Sequence, residues 1–284
     1  MHQKKAAIFL PACFGLLISF HSSFSQTSYV LSHDSVRIAY EVHGSSTPAL
    51  VFVHGWSCDR SYWNDQLKSF APEFMVVAID LGGHGESGLG RKSWSMESFG
   101  SDVAAVVNKL GLQRVILIGH SMGGDVIAEA ARLLKKRVAG LIMVDTYKKL
   151  GSGRTPQQVQ AFVGRLQTNF RDSTKAFVQG MFLPGSDPAL VKRVSEDMAS
   201  APPAVALSAL EHALSYGRQM PHTLKELKIP VIAINPDNET TDVPSMEQYG
   251  VKLMFMPGTG HFLMMEDPPR FNRILRSAIN EIIK

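Results

Sequence analysis

The sequence predicts an α/β protein, a mostly parallel sheet covered by helices on both faces, with a helical cap inserted between two core strands. Three observations carry this. Short uninterrupted apolar runs, such as Ala49-Leu50-Val51-Phe52-Val53, suit strands buried on both faces. Segments with apolar residues at helical spacing separate those runs. The alternation fails once, between Thr146 and about Leu227, where only helix starts are found.

Taken in order, residues 29–31 and 36–42 read as a hairpin turning at His33-Asp34. Core strands follow at 49–53, 75–79, 115–118, 141–144, 231–234 and 251–255. Met96, Phe99, Val103, Val106, Val107 and Leu110 form one helical stripe. In the cap, Thr155-Pro156 with Gln158 forms a capping box, and Asp187-Pro188 and Ser200 ahead of Pro202-Pro203 mark further starts. Asp267 with Pro268 opens the last helix. The expected division is 26–145 and 228–284 for the core and 146–227 for the cap. A cap inserted at strand ends overhangs the crevice where such sheets bind ligands, so it is expected to shape the substrate pocket.

Residues 1–25 read as a secretory signal peptide. Lys4 and Lys5 precede an apolar run from Ala6 to Phe20, and Ser23-Phe24-Ser25 offers a cleavage site before Gln26. The run is short for a membrane span and contains Pro11, which disfavours a retained anchor. A lipoprotein signal around Leu10-Pro11-Ala12-Cys13 ranks lower still. The expected location is secreted or periplasmic. Losing Lys4 and Lys5 lowers the net charge from +4 to +2. No Lys/Arg stripe with interleaved aromatics appears, which disfavours nucleic acid as a partner. Cys13 leaves with the signal, and Cys58 alone cannot make an internal disulfide. The mature chain must therefore be held by its core.

The chemistry centres on Gly119-His120-Ser121-Met122-Gly123, a G-x-S-x-G turn between a buried strand and a helix. Glycines on either side let the strand double back into the helix and leave the serine hydroxyl at the tip. Serine needs a base. His261 follows the last strand and precedes the last helix, which puts it on the same sheet edge as Ser121. His54 and His84, in glycine-flanked turns, are expected to brace loops. His120 is expected to point away from Ser121, and His212 and His222 belong to the cap. The backbone N–H groups of Trp56 and Met122 are the expected oxyanion donors. Metal-ligand spacing is not found among the His, Asp and Glu residues, and the chemistry needs no cofactor.

HGW at His54–Trp56, DLGGHGESG at Asp80–Gly88, GHSMGG at Gly119–Gly124 and GTGHF at Gly258–Phe262 stand in a familiar order. The chain resembles the α/β-hydrolases over essentially all of its length outside the cap and signal. The resemblance implies a Ser-acid-His triad in that chain order and a backbone oxyanion hole. It makes Asp80 a loop brace. Serine at position 121 sets the chain apart from the dehalogenases and epoxide hydrolases, which carry aspartate there.

The acid is the irregular part. The family usually takes it from the strand before the histidine strand, which here leads into Asn235-Pro236-Asp237. Asp237 is the favoured acid because it lies three residues past Ile234. Asp145, directly after the 141–144 strand, is the main alternative. Glu239 is longer and further along, and Asp242 suits capping a short helix at 246–249. The expected function is hydrolysis of a small or medium carboxylic ester through Ser121, His261 and Asp237. Lactone opening, C–C hydrolysis, perhydrolysis and amide cleavage use the same constellation. A hydrolase-fold ligand receptor with little turnover is the competing class. A small-molecule substrate is the expected partner.

Overall fold

The structure, a computed structural model, describes residues 26–151 and 153–284. The expected signal peptide therefore lies outside the described residues. Eight strands form one sheet: β1 (Ser28–Leu31), β2 (Arg37–His43), β3 (Ala49–Val53), β4 (Val76–Ile79), β5 (Val115–His120), β6 (Val138–Val144), β7 (Val231–Asn235) and β8 (Val251–Phe255). Their spatial order is β1-β2-β4-β3-β5-β6-β7-β8. β1 and β2 pair antiparallel, and β2 lies antiparallel to β4; the pairings from β4 through β8 are parallel.

Burial explains the strand sequences. Every residue of β3, β4, β5 and β7 is buried, so no polar face is required. β8 lies at the sheet edge and is only partly buried. Helices cover the sheet. Introduced in chain order, α1 is Asn64–Phe70, α2 is Met96–Lys109 and α3 is Met122–Leu134. Cap helices follow as α4 (Pro156–Thr168), α5 (Phe170–Gln179), α6 (Pro188–Met198), α7 (Pro203–Tyr216) and α8 (Met220–Leu227). The rest are α9 (Val243–Glu247), α10 (Leu263–Glu266) and α11 (Pro268–Ile283). α2 packs on α3, which packs on β3, β5 and β6; α11 packs on β6, β7 and α1.

α11 shows how sequence becomes packing. Asp267 accepts from the N–H of Arg270 at 3.1 Å, and Pro268 occupies the first position without wasting a donor. Phe271, Leu275, Ala278, Ile279 and Ile282 then fall on one buried stripe. Ile282 presses so closely on β6 that a Cβ at Gly140 would approach it to 2.8 Å.

Five helices, α4–α8, occupy the interval between β6 and β7, with no strand among the described residues. The Thr155 capping box forms as expected: Gln158 N–H to Thr155 Oγ1 at 3.2 Å, and Thr155 N–H to Gln158 Oε1 at 2.8 Å. Asp187 caps α6 through Ala189 N–H at 2.9 Å. Ser200 is not a start; its hydroxyl donates to Asp197 O at the end of α6, and α7 begins at Pro203. No described helix is long and apolar enough to cross a membrane.

Candidate active site

β5 ends in the turn that carries Ser121. That residue adopts φ 52° and ψ −121°, a backbone region that non-glycine residues seldom enter. Strain of this kind persists only where surrounding structure enforces it. Here the enforcement is close packing. A Cβ at Gly119 would approach Gly123 O to 2.2 Å, and one at Gly123 would approach Val53 O to 2.6 Å. The strand, the turn and the first turn of α3 thus meet with no room for side chains, and Ser121 is pushed to the crest. Its own N–H donates to Val144 O at 2.8 Å, which ties the crest to β6.

Ser121, His261, Trp56 and Met122 line one cavity of about 430 Å³. Cap residues Phe177, Met181, Leu210 and Leu214 wall its apolar side. The predicted serine, histidine and oxyanion residues are therefore brought together. Trp56 is fixed from above: its indole Nε1–H donates to Ala206 O of α7 at 2.7 Å. The backbone N–H of His261 donates to Met181 O at 3.0 Å, so the cap also holds the histidine loop.

The expected pairing of Asp237 with His261 is not formed. His261 Nδ1–H donates to Asp145 Oδ2 at 2.7 Å. Asp237 is exposed and accepts from Gly258 N–H at 3.0 Å, bracing the loop below the histidine. The physical reason lies at the end of β7. Asn235 is buried and its amide donates to Tyr147 O at 2.9 Å and Thr241 Oγ1 at 3.3 Å. That closes the turn on itself and directs Asp237 away. At the end of β6, Asp145 takes φ 45° and a buried position that faces the histidine loop. Asp242 caps α9 through Ser245 N–H at 3.1 Å, and Glu239 lines the cavity without touching His261.

Burial would push the Asp145 carboxyl up; the hydrogen bond and charge of His261, joined by Lys148, more than reverse this and hold it below the usual carboxylate value. The pairing therefore stabilises the fold above the normal carboxylate range and weakens as pH falls through the lowered value. Lys148 Nζ lies 3.0 Å from Asp145 Oδ1 and donates to Pro236 O at 3.1 Å. Sequence reasoning missed Lys148; its signal was a lysine three residues beyond a strand-end aspartate.

Three further histidines, His54, His84 and His120, are buried structural partners. His54 Nε2 accepts from Leu81 N–H at 3.0 Å while its Nδ1–H donates to Gly55 O at 2.7 Å. His84 Nδ1–H donates to Gly82 O at 3.0 Å. His120 Nε2–H donates to His261 O at 2.8 Å, and its ring centroid lies 4.6 Å from that of His261. Burial, reinforced by the neighbouring His261, lowers His120 to about 3 and keeps it neutral. Asp80 is buried and accepts from the N–H groups of Arg60 and Glu86 at 2.8 and 2.9 Å, as a loop brace does. Among the described residues, no group of three or more His, Cys, Asp or Glu side chains could hold a metal ion.

With this geometry in place, the likenesses to known proteins can be read. Residues 50–274 match the model of the Alpha/beta hydrolase family. The chain is 29% identical over 243 residues to the dihydrolipoyllysine-residue acetyltransferase component of the acetoin cleaving system of Pseudomonas putida, covering 82% of this chain and 64% of that protein. It is 37% identical over 125 residues to a bifunctional esterase/perhydrolase of Acinetobacter calcoaceticus, covering 43% of this chain and 45% of that one. The chain thus spans less than two thirds of the length of these curated relatives. A thermophilic esterase of Thermogutta terrifontis, solved with malate bound, superposes with a TM-score of 0.78 at 24% identity, over 91% of this chain and 99% of that one. At that identity the likeness is one of fold.

Proposed function

The chain belongs to the alpha/beta hydrolase family, and from that premise we propose that it hydrolyses small or medium carboxylic esters through Ser121, His261 and Asp145. The single observation that carries the reading is the Asp145–His261 hydrogen bond at 2.7 Å, in a cavity that Ser121 also lines. With Nδ1–H committed to the carboxylate, His261 Nε2 is left as the base. Ser121 Oγ attacks the ester carbonyl as Nε2 takes its proton. The N–H groups of Trp56 and Met122 receive the developing oxyanion. The imidazolium then protonates the leaving alcohol. Water, activated by the same nitrogen, releases the acid and restores Ser121.

Hydrolase activity agrees with the relative named a bifunctional esterase/perhydrolase. Ester as the substrate class rests on the cavity, which is apolar on its cap side and sized for a small acyl chain. Lactone, C–C and amide cleavage remain the competing outcomes of product analysis. The signal-peptide reading of residues 1–25 makes the site of action the periplasm or the exterior, to be checked by fractionation and N-terminal sequencing of the mature protein.

The test is initial rates on nitrophenyl esters of increasing acyl length. Turnover that disappears in Ser121→Ala supports the proposal. A folded wild type that binds such esters but turns over none of them, at any length, sinks it in favour of the ligand-receptor reading.

A further inference from the structure

Two carboxyl groups on the cavity wall, Asp125 and Glu239, have no part in the steps above, and Asp125 is the buried one. Asp125 lies on α3 three residues beyond Met122, on the same helical face and about 5 Å further along the axis. It lines the cavity yet is only 4% exposed. Tyr147 OH donates to its Oδ1 at 2.5 Å. Among the described residues Tyr147 is the hydrogen-bond partner of this carboxyl, and no ion pair reaches it. Thr146, in the same wall, has a buried hydroxyl with no hydrogen-bond partner. The cavity thus has apolar cap side chains along one wall and this buried polar pair at one end, a turn of helix away from the reacting serine, with Arg154 and Glu239 elsewhere on its wall.

We propose that Asp125, positioned by Tyr147, forms a hydrogen-bond-donating subsite for acyl chains that carry a second, uncharged carbonyl oxygen. The inference rests on the ester reading of the same cavity. A neutral carboxyl keeps Oδ1 as acceptor for Tyr147 and presents the Oδ2 hydroxyl as donor. Burial, which outweighs the Tyr147 hydrogen bond, raises Asp125 to about 8, and the charge of Glu129 adds to this. The groups around it are Glu129 on α3, Tyr147 after β6, and Arg154, Glu239 and His261 elsewhere on the cavity wall; Tyr216 stands on Glu129. A ketone accepts only, so it discriminates the donor form from the carboxylate. A carboxylate-bearing chain would meet an ionisable acid and gain nothing.

The experiment compares kcat/KM for nitrophenyl pentanoate and hexanoate with their analogues ketonised at the penultimate carbon. The ratio is read within each protein, which cancels any pH dependence common to both chains. Wild type is expected to favour the keto chain by on the order of tenfold at neutral pH. That preference should fall away as pH rises through about 8, where Asp125 ionises. Asp125→Asn retains a donor and should hold its preference across the range; Asp125→Leu should lose it. If the leucine variant does not fold, the wild-type pH course and the asparagine variant still decide. A wild-type ratio near one, a ratio independent of pH, or a leucine variant that keeps the preference overturns the subsite while leaving the esterase reading intact. No turnover of either chain overturns the esterase reading, and the subsite with it.

Discussion

β6 and β7 are neighbours, parallel, and buried along their matched lengths, yet their ends do different work. At the end of β6 the chain enters a left-handed conformation at Asp145 and turns a buried carboxylate toward His261. At the end of β7 the side chain of Asn235 ties the turn down, and Asp237 braces Gly258 at the surface. Both aspartates sit at plausible spacing from a strand. The difference teaches that spacing along the chain nominates an acid, while the local backbone turn elects it.

The most disruptive way to sharpen that comparison is to remove what both candidates would serve. Ser121→Ala should cut kcat by a factor on the order of 10⁴ or more with folding unchanged, as measured by initial rates and circular dichroism. Next comes the direct contrast. Asp145→Asn should lower kcat by on the order of 10³-fold, because an amide cannot stabilise the imidazolium. Asp237→Asn should change it by about twofold or less, since a surface brace is at stake. Equal losses would break the distinction drawn here.

A smaller effect is expected from Lys148. Its ammonium lies against Asp145 Oδ1 and partly neutralises the carboxylate that supports protonated His261. Lys148→Met should therefore let the Asp145 carboxyl rise toward its ordinary value and lower kcat/KM by about threefold. An unchanged kcat/KM would restrict Lys148 to holding Pro236. The last substitution, Asn235→Ala, should act on stability more than on activity. It removes two buried hydrogen bonds at the end of β7 and should cost about 1–3 kcal/mol of stability, seen as a Tm lowered by a few degrees. Activity should fall less than tenfold, because neither Asp145 nor His261 bonds to the Asn235 side chain.

The strands, Ser121 and His261 were legible because their signals are local. A strand buried on both faces must be apolar throughout, and a strand that folds back into a helix must have glycine where backbones touch. Helices α4, α6 and α11 announced themselves through side-chain caps at Thr155, Asp187 and Asp267. Helices α5 and α8 have no such capping bond, and their starts were not marked in the sequence. The partner of His261 was expected at Asp237 and stands at Asp145 for a related reason. The partners that decide between Asp145 and Asp237, namely Tyr147 O for Asn235 and Gly258 N–H for Asp237, are distant in sequence or belong to the main chain. No pattern of residue types records them.

The cap holds two site residues by main-chain carbonyls, Ala206 O on the Trp56 indole and Met181 O on the His261 amide. Neither contact depends on which side chain the cap presents at that residue. Mutation can therefore rewrite the pocket lining at Leu210 or Leu214 while the two anchor points stay where the helices put them. Selectivity and chemistry are separately inheritable in this protein, and a lineage could change its diet without relearning how to cut.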